Sequence, residues 1–217
     1  MERNMKFRLS TVLSVAVCLL GILPALAQQQ WQPKALMAQG QPMSTLHAIA
    51  IPASAEYQGR TIQAWVVLVG HARAGGPGYP EMGVILSGLD TLLPASEREL
   101  FEGPDLDEKV IHGDAFQITF GKEKEMRKFS TRAALSGVSS MFPPDSGGRE
   151  NQYFVTNLRP LAAEKNAWKS FLAAMSHGFE EGSIRIGGSI LSHAVTVKFS
   201  GAGIAPALQD LMAFTGQ

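Results

Sequence analysis

Cysteine is almost missing from this sequence: Cys18, within an N-terminal apolar run, is the only one. A disulfide needs two cysteines, so no disulfide framework can hold this fold together. A zinc site built from several cysteines is excluded on the same ground. The fold must therefore rest on a hydrophobic core. A chain of 217 residues with 45% apolar side chains is sufficient for one domain of ordinary burial.

An excess of charge of either sign is also missing. The sequence holds 19 basic and 19 acidic residues, so its formal net charge is zero. Without residues 1–27, 16 basic and 18 acidic residues are left, and the net charge is −2. Nucleic acids and anionic lipid surfaces attract proteins that carry a basic face. We therefore expect no nucleic-acid partner, and the sequence indicates no cofactor.

No apolar run is long enough for a comfortable membrane-spanning helix, which needs about 20 residues. The longest run extends from Val12 to Leu26 and follows three cations, Arg3, Lys6 and Arg8. It is followed by the small residue Ala27 and then by glutamines. These features are typical of a cleavable secretory signal peptide, here residues 1–27, with an uncleaved membrane anchor as the alternative. We expect a periplasmic or secreted mature protein without an integral membrane segment and without a thiol nucleophile.

The mature chain begins with a segment of low complexity and continues with strand patterns. Residues 28–44 are rich in glutamine, contain two prolines and show no period, which predicts a flexible arm. Residues 45–217 are predicted to form a single globular domain. Within it, residues 61–69 are apolar on both faces, as in a central strand. Residues 127–135 alternate like a strand but also fit a helix. Strand patterns cover residues 46–51, 61–69, 82–88, 114–120, 127–135, 153–158, 183–188 and 190–200.

Two helices are predicted in the C-terminal third and one helical turn earlier. Over residues 161–177 apolar side chains recur at helical spacing, and Gly178 is suited to end this helix. A second helix is predicted over residues 204–214. Ser96 and Glu99 have the spacing of a capping box, which predicts a short helical turn. Because strands and helices do not alternate regularly, we expect an α+β fold. Its sheet would be mostly antiparallel and sandwich-like, with the two C-terminal helices packed on it.

The last third of the chain resembles a known family. After a helix and a hairpin strand, the segment VTVKFSGAGIAPAL, residues 195–208, takes a strand directly into a helix start. This ending is similar to that of the invasion-associated locus B family of bacterial periplasmic proteins. Ile204 stands where that family favours an aromatic residue, and the cysteines of the family are absent. The resemblance implies a small periplasmic β-sandwich with an envelope or host-interaction role and no catalytic residues.

One loop contains a sequence used elsewhere in hydrolysis. Residues 145–148, Asp-Ser-Gly-Gly, are similar to the nucleophile motif of trypsin-like serine proteases. In those enzymes the preceding glycine donates a backbone N–H to the oxyanion. Pro144 stands in its place here and has no N–H to donate. The segment is therefore interpreted as a surface loop rich in proline and glycine.

Histidine and aspartate offer a second set of candidate groups. His112 and Asp114 flank Gly113 near a strand start, and His71 and His193 could join them. Such groups can hold a structural metal or act as an acid–base pair. The alternative is that they are ordinary loop residues, since their spacing matches no known site.

Three further patterns indicate surface loops. The acidic residues 105, 107 and 108 lack the alternating spacing, the glycine and the distal glutamate of a calcium loop. The glycines of residues 75–78 follow a strand, but no Lys-Ser/Thr pair and no helix start come after them, as a phosphate loop requires. The basic residues between 122 and 132 are interleaved with Glu123 and Glu125, which predicts a solvated hairpin tip. A weak site for an acidic partner or a lipid headgroup is the alternative.

Export, a single small domain and the absence of a catalytic signature favour a non-enzymatic binding protein of the cell envelope. The expected partner is another envelope protein or a host protein. No catalytic, cofactor-binding or metal-ligating residue is assigned from the sequence. The alternative is an exported hydrolase with a site near His112, Asp114 and Ser146.

Overall fold

The computed structural model describes residues 30–35, 37–38, 41–42, 46–71, 80–102, 109–121, 125–138, 152–157, 164–187 and 191–216. The predicted signal peptide, the loop of residues 145–148, the glycines of 75–78 and the acidic residues 105–108 lie outside the described residues. The strands are β1 (Gln32–Lys34), β2 (Met37–Ala38), β3 (Gln41–Pro42), β4 (Leu46–Tyr57), β5 (Arg60–His71), β6 (Glu81–Ser87), β7 (Lys109–Phe120), β8 (Arg127–Val138), β9 (Gln152–Asn157), β10 (Glu181–Ile186) and β11 (Val195–Ser200). The helices are α1 (Ala95–Glu102), α2 (Lys165–Met175) and α3 (Ile204–Thr215), and a 3-10 turn covers Leu89–Thr91.

Nine of the strands form one sheet, in the order β1-β4-β11-β10-β7-β8-β9-β6-β5, and every pairing in it is antiparallel. Strand β5 also pairs with β4 along all 12 residues. The eight strands other than β1 therefore form a ring that closes on itself. The fold is α+β, as predicted, with antiparallel strands as its main component.

The closed sheet has two ends, which we name by their turns. The upper end holds the two-residue turn Gln58–Gly59 between β4 and β5, where both φ angles are positive, 51° and 74°. This geometry is the tight hairpin turn whose twist matches the flanking strands. The antiparallel pairings place α1 and the β10–β11 connection at the same end. The lower end holds the β7–β8 turn, and α2 and α3 connect to the sheet there.

The main core lies on the concave face of the sheet. Alternate residues of the strands contribute to it, among them Ile118, Ile184 and Val197, and all three are fully buried. The predicted apolar stripe of α2 joins the same cluster, led by Trp168 with no exposed surface. Its indole Nε1–H donates to the Pro80 carbonyl oxygen at 2.9 Å, so the one polar atom of this side chain is satisfied.

A second apolar cluster lies on the convex face of β4, β5 and β6. It includes Ala50, Val67 and Ile85, none of which has exposed surface. Val66 and Leu68 are the neighbours of Val67 on β5, and their side chains belong to the concave core instead. Strand β5 is thus apolar on both faces and is flanked by β4 and β6, which confirms the central strand predicted over residues 61–69.

Residues 31–34 lie within the segment 28–44, for which a flexible arm is predicted, and they are in contact with the sheet. Strand β1 pairs with β4 through Gln32, Pro33 and Lys34. Trp31 is 7% exposed, its ring meets Phe199 edge to face, and its Nε1–H donates to a backbone carbonyl oxygen of β11 at 3.3 Å. Burial of this large aromatic side chain and the pairing of β1 with β4 together offset the chain entropy that residues 31–34 lose when they join the fold.

Residues 127–135 form a strand, so the helical alternative is wrong for this segment. Strand β8 pairs with β7 on one side and with β9 on the other, and Phe129 and Ala133 face the core. The predicted short turn at residues 96–99 is part of a real helix, α1, which begins at Ala95. The C-terminal helix and the β10–β11 hairpin are confirmed as predicted.

Candidate functional site

Polar side chains from three separate parts of the chain meet at the upper end. Tyr57 and Gln58 end the β4 arm of the hairpin, Glu97 lies on α1, and Ser192 and His193 precede β11. We name these five residues the Glu97 cluster. Tyr57 and Glu97 are buried, whereas the other three residues are exposed.

The Glu97 carboxylate accepts hydrogen bonds from two elements. The backbone N–H of Ser192 donates to Oε1 at 2.8 Å, and the Tyr57 hydroxyl donates to Oε2 at 3.3 Å. A buried carboxylate is costly unless such donors surround it. Glu97 therefore joins α1, β4 and the connection that precedes β11.

The His193 ring completes the cluster on its exposed side. Its Nδ1 atom lies 2.9 Å from Nε2 of Gln58 and 3.1 Å from Oγ of Ser192. Because an amide nitrogen can only donate, Nδ1 is the acceptor in the contact with Gln58. The ring also meets Tyr57 edge to face, with centroids 6.2 Å apart.

Burial and hydrogen bonding act in opposite directions on the two titratable groups at the centre. Burial alone raises the pKa of Glu97, but hydrogen bonds from the Ser192 hydroxyl and N–H and from Tyr57, together with the charge of His193, outweigh it. The pKa of Glu97 is therefore held below its ordinary value of 4.5. Burial raises the pKa of Tyr57 above 10.0, and the negative charge of Glu97 adds to this rise. At neutral pH the pair is a carboxylate bound to a neutral phenol.

The arrangement of the Glu97 cluster is better suited to holding the upper end together than to catalysis. Ser192 binds Glu97 through its backbone N–H, so the carboxylate holds the main chain of this connection in place. His193 Nδ1 already accepts from Gln58, so the imidazole is not poised to take the Ser192 proton. A carboxylate whose pKa is lowered is also a weak general base at neutral pH.

A second candidate site lies at the lower end, between the β7–β8 turn and the end of α2. This cleft, which we name the α2 groove, has a volume of about 790 Å³. The rings of Phe120 and Phe179 line it 4.8 Å apart, and Ala173 and Ala174 of α2 form the adjacent wall. A volume of this size is within the range of small-molecule and short-peptide pockets.

Charged side chains line the rim of the α2 groove. Glu125 and Arg127 come from the β7–β8 turn and are exposed, and neither forms an ion pair with any side chain in the described part of the protein. His177 stands on the opposite side, with Nδ1 2.7 Å from the carbonyl oxygen of Ala173. The groove therefore combines an apolar aromatic lining with three exposed charged residues, the carboxylates Glu125 and Glu180 and the cation Arg127.

The histidines named as possible partners of His112 are far apart. His71 lies at the lower end, where Nε2 is 3.2 Å from a carboxylate oxygen of Glu81. His193 lies at the upper end. Within the described residues, no three His, Cys, Asp or Glu side chains could together hold a metal ion. None of the helices in the described part of the chain combines the length and apolarity that crossing a membrane requires.

His112 and Asp114 lie on β7 in an interruption of the β7–β8 register. Ile111 pairs with Ala133 and Phe116 with Thr131, so the residues between them on β7 have no partners on β8. Such bulges re-aim the side chains around them. The His112 and Asp114 side chains lie outside what the structure describes, as does Ser146. In the predicted basic run, Arg127 and Lys128 are exposed, as expected for a solvated hairpin.

Comparison with known proteins adds no relative: no family model, no curated protein and no solved structure matches this chain. Neither site is marked by a local sequence motif. The Glu97 cluster joins residues 40 and 95 positions apart in the chain, so no local spacing could reveal it. For the α2 groove, the sequence offers only the alternating charges that include Glu125 and Arg127, and these predict a solvated hairpin tip rather than a groove.

Proposed function

We propose that this protein is an exported, non-enzymatic binding protein of the bacterial cell envelope and that its protein partner binds at the lower end. One observation carries the proposal. Among the described residues, the two exposed large apolar side chains are Met126, 58% exposed, and Phe214, 41% exposed. Both lie at the lower end, as does the α2 groove. Met126 stands between Glu125 and Arg127, which line the groove, so it offers an apolar side chain next to a charged rim, as the centres of protein interfaces do.

Two further features support this proposal. The polar groups of the Glu97 cluster are bonded to one another, which is typical of a structural role. The signal-peptide pattern of residues 1–27 and the resemblance of residues 195–208 to invasion-associated locus B proteins both favour an envelope location. The partner is then an envelope protein or a host protein, and the lower end supplies its contact surface.

The test is affinity capture from an envelope extract with tagged residues 28–217, followed by mass spectrometry. Wild-type protein is compared with Met126→Ser and Arg127→Glu at the lower end. Arg60→Glu is the matched control, because Arg60 is an exposed cation at the upper end. We expect one partner to be captured by the wild type and by Arg60→Glu and to be lost with the two lower-end variants. Equal capture by all four proteins would contradict the assigned surface.

A hydrolase is the second candidate function, and one observation favours it. Ser192 Oγ lies 3.1 Å from Nδ1 of His193, and the backbone N–H of Ser192 donates to Glu97, so the residue types of a nucleophile, a base and an acid meet at the upper end. His112 and Asp114 also lie at this end on β7. The test is turnover of activated esters and peptides by the purified chain. Activity that is lost in both Ser192→Ala and His193→Ala would support the hydrolase and overturn the binding proposal.

A further inference from the structure

We infer that the α2 groove is a peptide-binding site for a short zwitterionic peptide with apolar side chains, whose amino group pairs with Glu125 and whose carboxylate pairs with Arg127. This inference goes beyond the proposed function, because it assigns a small ligand to the α2 groove, whereas the partner proposed for the lower end is a protein. It starts from exposed charges of both signs beside an aromatic surface.

Glu125 and Arg127 have opposite charges and line the same groove, yet no ion pair joins them, and neither pairs with another side chain among the described residues. Both are exposed, so water solvates them in the free protein. Exposed charges of both signs at the mouth of a cleft complement a ligand that carries both signs as well. A purely anionic ligand would meet the carboxylates of Glu125 and Glu180, and a purely cationic ligand would meet the guanidinium of Arg127.

The spacing of the two charges suits a very short chain. Residues two apart in sequence have Cα atoms no more than about 7 Å apart. An extended dipeptide separates its amino group and its carboxylate by a similar distance. A guanidinium group also matches a carboxylate in shape, because it can donate two parallel hydrogen bonds.

The lining of the groove defines the side chains of the ligand. Phe120 and Phe179 present two rings tilted by 32° to each other, and Ala173 and Ala174 leave space beside them. An aromatic or large aliphatic side chain can pack on these rings, which contributes both buried area and favourable ring contacts. A peptide such as phenylalanyl-phenylalanine has the apolar side chains, the two end charges and a size appropriate to about 790 Å³.

The experiment titrates the mature chain, labelled with ¹⁵N, with three probes and follows amide chemical shifts by NMR. The probes are phenylalanyl-phenylalanine, its N-acetyl derivative and its C-terminal amide. We expect the free dipeptide to bind, with shifts around Phe120 and Phe179. Each blocked derivative should bind about two- to fivefold more weakly, because each loses one exposed charge pair.

Two variants test which side chain binds the amino group of the peptide and which binds its carboxylate. In Glu125→Gln, N-acetylation should no longer weaken binding, whereas amidation still should. In Arg127→Gln the pattern should be reversed. Arg60→Gln, at the opposite end of the sheet, should behave as the wild type does. Both positions in the groove are exposed, and the thermal unfolding of each variant verifies that it is folded.

Three results would overturn the inference: no binding of the free dipeptide, equal binding of all three probes to the wild type, or the same probe preference in both groove variants. Capture of an envelope partner through the lower end is measured separately. If capture succeeds and the dipeptide titration fails, the binding function stands and only the peptide chemistry is wrong. If both fail, the lower end is not the binding surface.

Discussion

Replacement of Glu97 by glutamine tests whether the buried carboxylate holds the upper end together. The substitution keeps the size of the side chain and one acceptor oxygen, but it removes the charge. Glu97 accepts from the Ser192 N–H at 2.8 Å and from the Tyr57 hydroxyl at 3.3 Å. Hydrogen bonds to a charged group contribute about 1.5–3 kcal/mol each, against about 0.5–1.5 kcal/mol for neutral pairs.

The expected loss follows from these two bonds. Ser192 is exposed, so water can replace part of its interaction, whereas Tyr57 is only 1% exposed and cannot be resolvated. We expect Glu97→Gln to lower the free energy of unfolding by about 1–2 kcal/mol at pH 7. For a domain of this size the melting temperature should fall by about 2–8 °C.

The effect should depend on pH in a defined direction. The pKa of Glu97 in the folded protein lies below its ordinary value of 4.5. The carboxylate therefore contributes its full stabilisation above that ordinary value and loses it as the pH falls through the folded pKa. Glutamine does not titrate, so the difference between wild type and Glu97→Gln should shrink towards acid pH.

The assay is urea unfolding of both proteins at a series of pH values from 7 down to 3. Glu56→Gln is the matched control, since Glu56 is exposed on the same strand as Tyr57 and has no part in the cluster. A stability difference that stays constant over the whole pH range would refute the reasoning, and so would a variant that is more stable than the wild type at pH 7.

Three further substitutions test the packing. Trp31→Ala should lower the unfolding free energy by about 3–5 kcal/mol in urea unfolding, whereas a flexible arm would predict no change. Gly182→Ala should lower the unfolding free energy by about 1–3 kcal/mol, because the new Cβ atom would lie 2.5 Å from the Phe199 ring. Adding Phe199→Leu should restore part of this stability, and a double variant that is no more stable than Gly182→Ala would contradict the explanation. Trp168→Phe should lower the unfolding free energy by about 1–3 kcal/mol, because the buried carbonyl oxygen of Pro80 loses its hydrogen-bond donor. An unchanged melting temperature would show that water replaces this donor.

The candidate sites show where local patterns stop being informative. Ser96 and Glu99 suggested a capping box, and a helix does form there. The residue with the larger role is Glu97, which bonds to Tyr57 and to Ser192. Its partners come from other parts of the chain, so neither could be inferred from residues near α1. Trp31 gave a similarly weak signal, because a single tryptophan in a glutamine-rich segment does not show what it packs against.

The sequence by itself determined most of the strands and both C-terminal helices, but it left residues 127–135 open between a strand and a helix. Residue alternation over 114–120 and the helical stripe over 161–177 are local properties, because neighbouring side chains on one face must all be apolar to reach a core. Only the tertiary structure decided that the strands close into a ring, that residues 32–34 pair with β4 and that the β7–β8 turn meets the end of α2. Partner choice depends on contacts between distant residues. Many pairings satisfy the same local alternation, and the folded chain selects the one that buries all of its apolar faces together.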